Sequence, residues 1–250
     1  MKLSLRYIFI TVFTLTICLA SCRKTYLCNE ENPKTLSLSP GPFHTVVCGK
    51  YTKTRIIPTN QYKVELVAGE KLLDNVKIKL KDSILYISLN AYCLLRDSAR
   101  ALHVNIFAPN LKTIRNASAF EVYSTEYLPF EYLKLISENY SEPEALNSGN
   151  FKLKINNRQL DIIANGSSTF YVEGNTQKLF IGFYGNMPRF EGTRLTVSEL
   201  EVHHNSANDI LIKPLHSAKG DLYSTGDLIL YHHPAVMEIR THYTGKVIFR

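Results

Sequence analysis

The sequence predicts an all-β protein whose main part is a right-handed parallel β-helix, or β-solenoid, preceded by an N-terminal antiparallel strand set. Short segments that alternate apolar and polar residues recur from residue 43 to the end, whereas helical patterns are almost absent. After residue 102 the short strands also fall into similar units, each ending in small or turn-forming residues. The alternative fold is an antiparallel β-sandwich, because short regular strands are also typical of that class.

The first 22 residues have the features of a lipoprotein signal peptide. Lys2 and Arg6 form a basic head, and residues 7–19 form an apolar run that is too short to span a bilayer. This run ends in Leu-Ala-Ser directly before Cys22, which resembles the bacterial lipobox, where the cysteine is acylated and becomes the first residue. We therefore expect a membrane-anchored lipoprotein of the cell envelope, at the outer membrane. The alternative is an ordinary secretory signal with a coincidental cysteine.

Residues 23–40 are polar and predict a flexible linker, and residues 41–250 are predicted to form the domain. A single helical turn is predicted at residues 70–74. The residues Lys81-Asp82-Ser83 predict a turn between two strictly alternating strands, each with one buried face. The first five strand-like segments are residues 43–47, 54–58, 62–68, 76–81 and 84–89.

Five units of the second half share one spacing, in which a leucine precedes a small or turn-forming residue by six positions. The pairs are Leu111 and Ala117, Leu133 and Asn139, Leu160 and Gly166, Leu179 and Gly185, and Leu200 and Ser206. A unit of this size cannot bury its apolar face alone, but a stack of units can. The small residue, as at Gly166, is predicted to mark a tight corner beside the next coil. Right-handedness follows from the general rule for parallel crossovers.

One coil is predicted to carry a long inserted loop at residues 139–150, which contains Ser-Glu-Pro-Glu and Asn-Ser-Gly-Asn. Gly149 lies in this loop, where we expect no neighbouring coil above it. A substitution at Gly149 is therefore expected to cost much less stability than one at Gly166.

Four segments of the domain resemble those of a known family: residues 43–50, 72–89, 104–114 and 243–248. This family is the head GIN domain of bacterial auto-transporter adhesins, and the resemblance extends from about residue 41 to residue 250. Such domains look like single β-solenoids capped by an N-terminal strand set, often on lipoproteins. Their Ser-Gly-Ala-Ser corners are eroded here, with residues 165–167 the closest match. Because these motifs are structural, the resemblance implies a fold and a location, and it carries over no active-site residue.

The charge balance does not favour nucleic acid binding. The chain has a formal net charge of +7, and removal of Lys2 and Arg6 with the signal peptide leaves 27 basic and 22 acidic residues. The basic residues are spread along the chain without a run of five like charges, which is typical of a solvated surface.

Besides Cys22, the mature chain contains three cysteines, Cys28, Cys48 and Cys93. An exported protein can form one disulfide from these, and Cys28 with Cys48 is the predicted pair. The alternative is three buried thiols. No Cys-x-x-Cys motif occurs, so zinc ribbons and thioredoxin-type redox centres are not supported.

Neither a metal site nor a catalytic residue is predicted. The pairs His203-His204 and His232-His233 lie on predicted strands, where neighbouring side chains point to opposite faces and cannot chelate one ion together. The acidic residues are scattered one per coil, and we expect no two of them at equivalent positions of adjacent coils. No Gly-x-Ser-x-Gly elbow is present. The sequence therefore predicts no enzyme and no cofactor.

Aromatic residues suggest a binding surface instead. Aligned tyrosines along a solenoid can stack on sugars or on peptide, although the alternative is that several fill core positions. The candidates are Tyr171, Tyr184, Tyr223, Tyr231 and Tyr243. We therefore expect a non-enzymatic, lipid-anchored envelope protein that binds a glycan or a protein. The alternatives are a polysaccharide-active β-helix enzyme and a purely structural envelope component.

Two tripeptides, at residues 82–84 and 97–99, resemble the Asp-Ser/Thr-aliphatic acceptor of a bacterial O-glycosylation system, with Ser83 and Ser98 as acceptors. Asp82-Ser83 is equally a good turn sequence. Neither the identity of the ligand, nor the face of the membrane, nor the oligomeric state follows from the sequence.

Overall fold

The computed structural model describes residues 33–90, 101–140 and 142–250, which form one continuous mixed sheet of 17 strands. In chain order the elements are β1 (Pro33–Leu38), β2 (Thr45–Cys48), β3 (Thr52–Pro58), β4 (Lys63–Gly69), α1 (Glu70–Leu73), β5 (Val76–Lys81), β6 (Ile84–Leu89), β7 (Leu102–Ala108), β8 (Thr113–Asn116), β9 (Val122–Leu128), β10 (Tyr132–Ser137), β11 (Phe151–Ala164), β12 (Thr169–Tyr184), β13 (Arg189–Asn205), β14 (Ile210–Leu222), β15 (Leu228–Leu230), β16 (Val236–Thr241) and β17 (Val247–Phe249). The chain is therefore all-β apart from the single turn α1. Within the described residues, no helix is long and apolar enough to cross a membrane.

The strands continue along two sides of the molecule that share the long strands β11 to β14. One side follows the order β5, β6, β2, β8, β10, β11, and the other follows β1, β4, β7, β3, β9, β11. Wherever one coil lies on the next, from β2 and β3 through to β17, the two neighbouring strands run parallel. An antiparallel sandwich does not fit this pattern.

The register of the parallel strands follows the repeat that the leucines predict. Leu133 pairs with Leu160, Leu160 with Leu179, and Leu179 with Leu200. Leu111 is also buried, but it precedes β8 and lies one position out of this column, since Lys134 pairs with Thr113. The repeat therefore corresponds to stacked coils, with one error of register.

Inward-facing residues of the coils form one continuous core. The rings of Phe151 and Phe170, which pair across β11 and β12, stack at 4.8 Å between centroids. Among the described residues, the buried members of this core lie between Phe43 and Leu230, and the partly buried Leu38 of β1 packs against them.

The N-terminal strands differ from the prediction in two ways. The predicted antiparallel set is only partly correct: β1, β4 and β7 pair antiparallel, as do β5 and β6, but β2 and β3 already run parallel to their neighbours. Their side chains belong to the first coil of the core. Residues 33–38, within the predicted linker, form β1 because β4 offers a free edge along its whole length.

The predicted corner at Gly166 is confirmed, but the expectation for Gly149 is wrong. A Cβ atom at Gly166 would overlap the backbone oxygen of Asn147, which belongs to the inserted loop. Gly149 is buried as well, and its N–H donates to the backbone oxygen of Ser118 at 3.0 Å. A Cβ at Gly149 would overlap the backbone oxygen of Phe120. The end of the inserted loop therefore packs in the stack like a short coil.

Candidate functional site

Four aromatic side chains from successive coils form a continuous ladder on the outer face of β12 and β13 and just beyond the ends of β14 and β16. The ladder consists of Tyr184, His203, Tyr223 and the adjoining His242, in that order. Ring centroids are 4.7 Å apart between Tyr184 and His203, 4.8 Å between His203 and Tyr223, and 4.5 Å between Tyr223 and His242. These distances equal the spacing of neighbouring strands, so each coil contributes one ring.

A glycine determines how the ladder begins. Gly182 pairs directly with His203, and Tyr184 follows two residues later on the same face. A Cβ atom at Gly182 would lie 2.6 Å from Cε2 of Tyr184, which means that the Tyr184 ring covers the space left by the absent side chain. The ring therefore lies beside His203 and stacks on it.

Hydrogen bonds hold both ends of the ladder. Asp221 lies at hydrogen-bond distance from Nε2 of His242, 2.7 Å, and accepts a hydrogen bond from Nη2 of Arg240, also at 2.7 Å. These two contacts, that with Arg240 first, lower the pKa of the Asp221 carboxyl below its usual value. At the other end, the hydroxyl of Tyr140 donates to the backbone oxygen of Tyr184 at 3.1 Å.

The stacking decides which part of each ring is available to a ligand. Neighbouring rings lie at interplanar angles of 24°, 39° and 6°, so each ring covers part of the face of the next and leaves the rest of its surface available to a ligand. Tyr184 is 37% exposed and Tyr223 is 41% exposed. The ladder therefore presents a row of phenol hydroxyls and imidazole nitrogens, which donate or accept hydrogen bonds.

A groove of about 750 Å³ runs beside the ladder on the same face. Its lining includes Phe180, Glu201, Lys219, Asp221, Glu238 and Arg240. Most of its charges are paired: Lys219 lies 3.1 Å from Glu238, and Arg240 lies 2.7 Å from Asp221. The groove is thus polar and wide open, and it carries both positive and negative charges without a large excess of either.

The carboxylates are less scattered than the sequence suggests. Asp209 and Asp227 occupy equivalent positions of adjacent coils, so the expectation that no acidic pair does so is wrong. Oδ1 of Asp209 accepts from the N–H of Asp227 at 3.0 Å, and Oδ1 of Asp227 accepts from the N–H of Lys246 at 2.8 Å. Because each carboxylate binds the backbone of the next coil, these residues hold a corner of the stack.

Three described carboxyl groups, those of Glu65, Glu121 and Asp221, have a pKa below the usual value. The pKa of Glu65 is lowered by its hydrogen bond from Lys63. Burial raises the pKa of Glu121, but hydrogen bonds from Lys152 and Lys53 outweigh it. With Asp221, these are shifts in the direction opposite to that of a general acid, which needs a raised pKa.

The structure brings together two of the five candidate tyrosines, Tyr184 and Tyr223. Tyr171 is equally exposed, at 43%, but it lines a different groove of about 440 Å³ on the other side of the stack. Tyr231 is half-buried, and Tyr243 is 65% exposed. In the described part of the chain, no ring contact connects Tyr171, Tyr231 or Tyr243 to the ladder.

Reasoning from sequence missed the two histidines of the ladder as partners of the tyrosines. The signal was available, since the four aromatic residues follow one another at steps of 19, 20 and 19, which is the length of a coil. This spacing does not reveal the ladder by itself, because His203 pairs with Gly182 and not with Tyr184, which lies two residues further along the strand.

His203 and His204 point to opposite faces, as neighbouring strand residues do. His204 is fully buried, and neither ring nitrogen has a hydrogen-bond partner of good geometry. Burial lowers the pKa of His204 to about 4, although the charges of Asp209 and Asp227 act in the opposite direction. Among the described residues, no three histidine, cysteine or carboxylate side chains converge on a metal position.

Cys48 is a buried member of the core, 1% exposed, and forms no disulfide with any other described residue. Burial raises the pKa of Cys48 to about 12, against a smaller opposing effect of the neighbouring Thr54 side chain. Cys22, Cys28, Cys93 and Ser98 lie outside the described residues. Ser83 forms the exposed turn between β5 and β6 with a φ of 61°, and its backbone oxygen accepts from the N–H of His44 at 3.0 Å.

Comparison with protein families gives one match to most of the domain. The family model described as "Putative auto-transporter adhesin, head GIN domain" matches residues 42–234. A search of curated proteins by sequence gave no significant match.

Solved structures share the fold at low sequence identity. A putative adhesin from Bacteroides fragilis has a TM-score of 0.74 at 15% identity, covering 88% of this chain and 98% of that one. A putative lipid binding protein from Parabacteroides distasonis has a TM-score of 0.62 at 10% identity, covering 88% and 97%. A putative adhesin from Parabacteroides merdae has a TM-score of 0.60 at 13% identity, covering 89% and 98%. Similarity at this level is a similarity of fold.

Proposed function

Because the chain belongs to the head GIN domain family of putative auto-transporter adhesins, we propose that it is a non-enzymatic envelope protein that binds a glycan. The binding site is the ladder of Tyr184, His203, Tyr223 and His242 together with the adjacent groove. The observation that carries this proposal is the row of partly exposed aromatic rings, one per coil, beside an open polar groove.

The repeat of the ladder suits an extended polysaccharide. Neighbouring coils are about 4.8 Å apart, which is comparable to the length of one sugar unit in an extended glycan. A glycan that lies along the stack axis therefore places about one sugar opposite each coil. Phenol hydroxyls and imidazole nitrogens exchange hydrogen bonds with sugar hydroxyls, as both partners donate and accept.

The charge pattern of the groove favours an uncharged ligand. Lys219 is paired with Glu238, and Arg240 with Asp221, so neither sign is in large excess. Carboxylate and guanidinium groups also form charge-assisted hydrogen bonds with neutral hydroxyls. Among the described residues that line the groove, the aromatic side chain is that of Phe180, which is partly exposed and offers an apolar contact to a sugar ring.

The protein is held at the membrane by lipid on Cys22, with its domain on a short polar tether. The coil stack is, in this proposal, a right-handed parallel β-helix, as supported by the parallel pairing of successive coils and by the general handedness of parallel crossovers. A crystal structure of the domain tests its handedness.

The mature chain, residues 23–250, probed on a glycan array, tests the proposed function. We expect binding to one class of extended, uncharged glycan, and loss of that signal in Tyr184→Ala/Tyr223→Ala. Tyr171→Ala is the matched control, because Tyr171 is a similarly exposed tyrosine of the same strand, β12, outside the ladder. Equal signals from the parent and the double variant would contradict the assignment of the site, and so would an array without any bound glycan.

A further inference from the structure

The two sides of the coil stack end, towards the N terminus, in the edge strands β5 and β1. Among the described residues, β5 pairs with β6 alone, and β1 pairs with β4 alone. Helix α1 connects β4 to β5 and contacts β1, so both edges belong to the same end of the molecule. The predicted tether also joins the domain at this end, because the first strand of the domain, β1, begins at Pro33.

Three lysines line the outward face of β5. Lys77, Lys79 and Lys81 are all exposed and alternate with Ile78 and Leu80. In an extended strand they are spaced by about 6.7 Å along one line. We refer to these three residues as the β5 lysine face.

The β5 lysine face brings three exposed lysines together on one strand without a close counter-charge beyond Asp82 among the described residues. In the described part of the chain, Lys77 and Lys79 have no ion pair, and Lys81 has only a 4.0 Å contact with its neighbour Asp82. Eight other described lysines lie within ion-pair distance of a carboxylate: Lys34, Lys50, Lys53, Lys63, Lys152, Lys154, Lys178 and Lys219.

The surface around the lysines can receive a ligand. A shallow groove of about 420 Å³ is lined by the three lysines together with Tyr86 and Ser88 of β6. Two leucines are also exposed at this end of the stack, Leu36 on β1 at 43% and Leu80 on β5 at 36%. Cationic, aromatic and apolar groups therefore occur together, a combination typical of surfaces that lie against lipid headgroups.

The length of the tether places a membrane within reach of this end. Ten residues separate Cys22 from Pro33, and a fully extended chain of that length spans at most about 35 Å. A lipid on Cys22 therefore holds β1 and β5, rather than the C-terminal coils, nearest to the bilayer.

We propose that the β5 lysine face binds anionic lipid headgroups and orients the domain with its N-terminal end on the membrane. The orientation rests on the lipid anchor of the proposed function, but the affinity of the lysine face for anionic lipid does not. Lysines on an edge strand also discourage aggregation between sheets, and that role alone predicts no affinity for lipid.

Vesicle sedimentation with the unlipidated mature chain, residues 23–250, tests the proposal. We expect binding to vesicles that contain phosphatidylglycerol and none to pure phosphatidylcholine, with most of the binding lost at ~0.5 M salt. Each lysine is expected to contribute about fivefold to the partition coefficient, so Lys77→Ser/Lys79→Ser/Lys81→Ser weakens binding by about a hundredfold. The matched control is Lys134→Ser/Lys213→Ser/Lys246→Ser, which removes the same charge from exposed positions elsewhere.

Comparable loss in both triple variants would show that overall charge, and not the β5 lysine face, drives binding. Unchanged binding in the β5 variant, or no binding by the parent chain, would overturn the proposal. Melting curves of both variants establish that they are folded. Since the vesicles contain neither a glycan nor an acylated protein, the result is independent of the glycan array and of lipidation at Cys22.

Discussion

Single residues decide both the shape and the pH response of this surface. Gly182 leaves the space that the Tyr184 ring fills, and His203 and His204, though adjacent in sequence, lie in the ladder and in the core. Each of the three can be changed without removing a coil. Their effects on binding and on stability are therefore separable.

Gly182→Val is expected to weaken glycan binding while leaving the fold intact. The atoms nearest to a Cβ at Gly182 belong to the side chains of Tyr184 and Phe180, which can turn away. Displacement of the Tyr184 ring breaks its stacking on His203, an interaction of about 1 kcal/mol, so the Kd should rise about fivefold. Titration of the glycan identified on the array measures this change. An unaltered Kd with a displaced Tyr184 ring would mean that the ladder is not the binding surface.

His204 should make the domain less stable in acid. Its pKa is about 4 in the folded state and about 6.5 in the unfolded state. Between these values the unfolded chain binds a proton that the native state does not bind. The contribution of neutral His204 to the free energy of unfolding is therefore fully present above pH 6.5. It is lost as the pH falls towards 4, and the loss amounts to roughly 3 kcal/mol.

His204→Phe isolates that effect, because Phe fits an apolar core position beside Phe183 and does not titrate. Urea unfolding at several pH values should give a shallower loss of stability in the variant than in the parent. Parallel curves for the two proteins between pH 6.5 and 4 would show that His204 is not the responsible group.

At the scale of the element, the corner that joins β11 to β12 depends on the inserted loop. Asn147 of this loop accepts a hydrogen bond from the N–H of Ser167 at 3.1 Å and fills the space above Gly166. Loop and corner should therefore respond alike to an added Cβ atom.

Gly166→Ala and Gly149→Ala are both expected to cost roughly 1–3 kcal/mol, because in each case the new atom meets backbone rather than a flexible side chain. For a domain of this size the melting temperature should fall by roughly 2–12 °C. Ser167→Ala is the control, since Ser167 is exposed at the same corner. A melting temperature like that of the parent for both glycine variants would contradict the packing of the loop against the stack.

Local patterns predicted the elements better than the contacts between them. Strict alternation locates β5 and β6 to the residue, because apolar and polar residues alternate along both strands, with the apolar face packed in β6 and half-buried in much of β5. β1 was not predictable, since its exposed residues show little alternation and only the free edge of β4 makes it a strand. Predicting the ladder requires the pairing register of four coils, because a slip of one residue would move a ring to the other face of its strand.

At the scale of the whole molecule, the two proposed surfaces have different partners and lie in different places. The β5 lysine face is at the N-terminal end, beside the tether, whereas the ladder runs along the coils β12 to β16. A domain resting on its N-terminal end would expose the ladder along its side. Glycan binding and membrane attachment are thus compatible in one orientation.

Lipidation at Cys22 is the premise of that orientation. Cys22→Ala should abolish incorporation of labelled palmitate and release the protein largely into the soluble fraction, because stable anchoring needs two or more acyl chains. Cys28→Ala is the control and should be labelled like the parent. Equal labelling of the Cys22 variant would contradict the lipobox assignment.

The most direct measurement of the central claim is the affinity of the mature chain for glycan oligomers of increasing length. If each coil of the ladder contacts one sugar, the Kd should fall with every added unit up to about four units, the number of stacked rings, and then level off. Tyr184→Ala/Tyr223→Ala should remove this length dependence, and Tyr171→Ala should keep it. A Kd that is the same from monosaccharide to hexasaccharide, or a length dependence that survives the loss of both ladder tyrosines, would contradict the account.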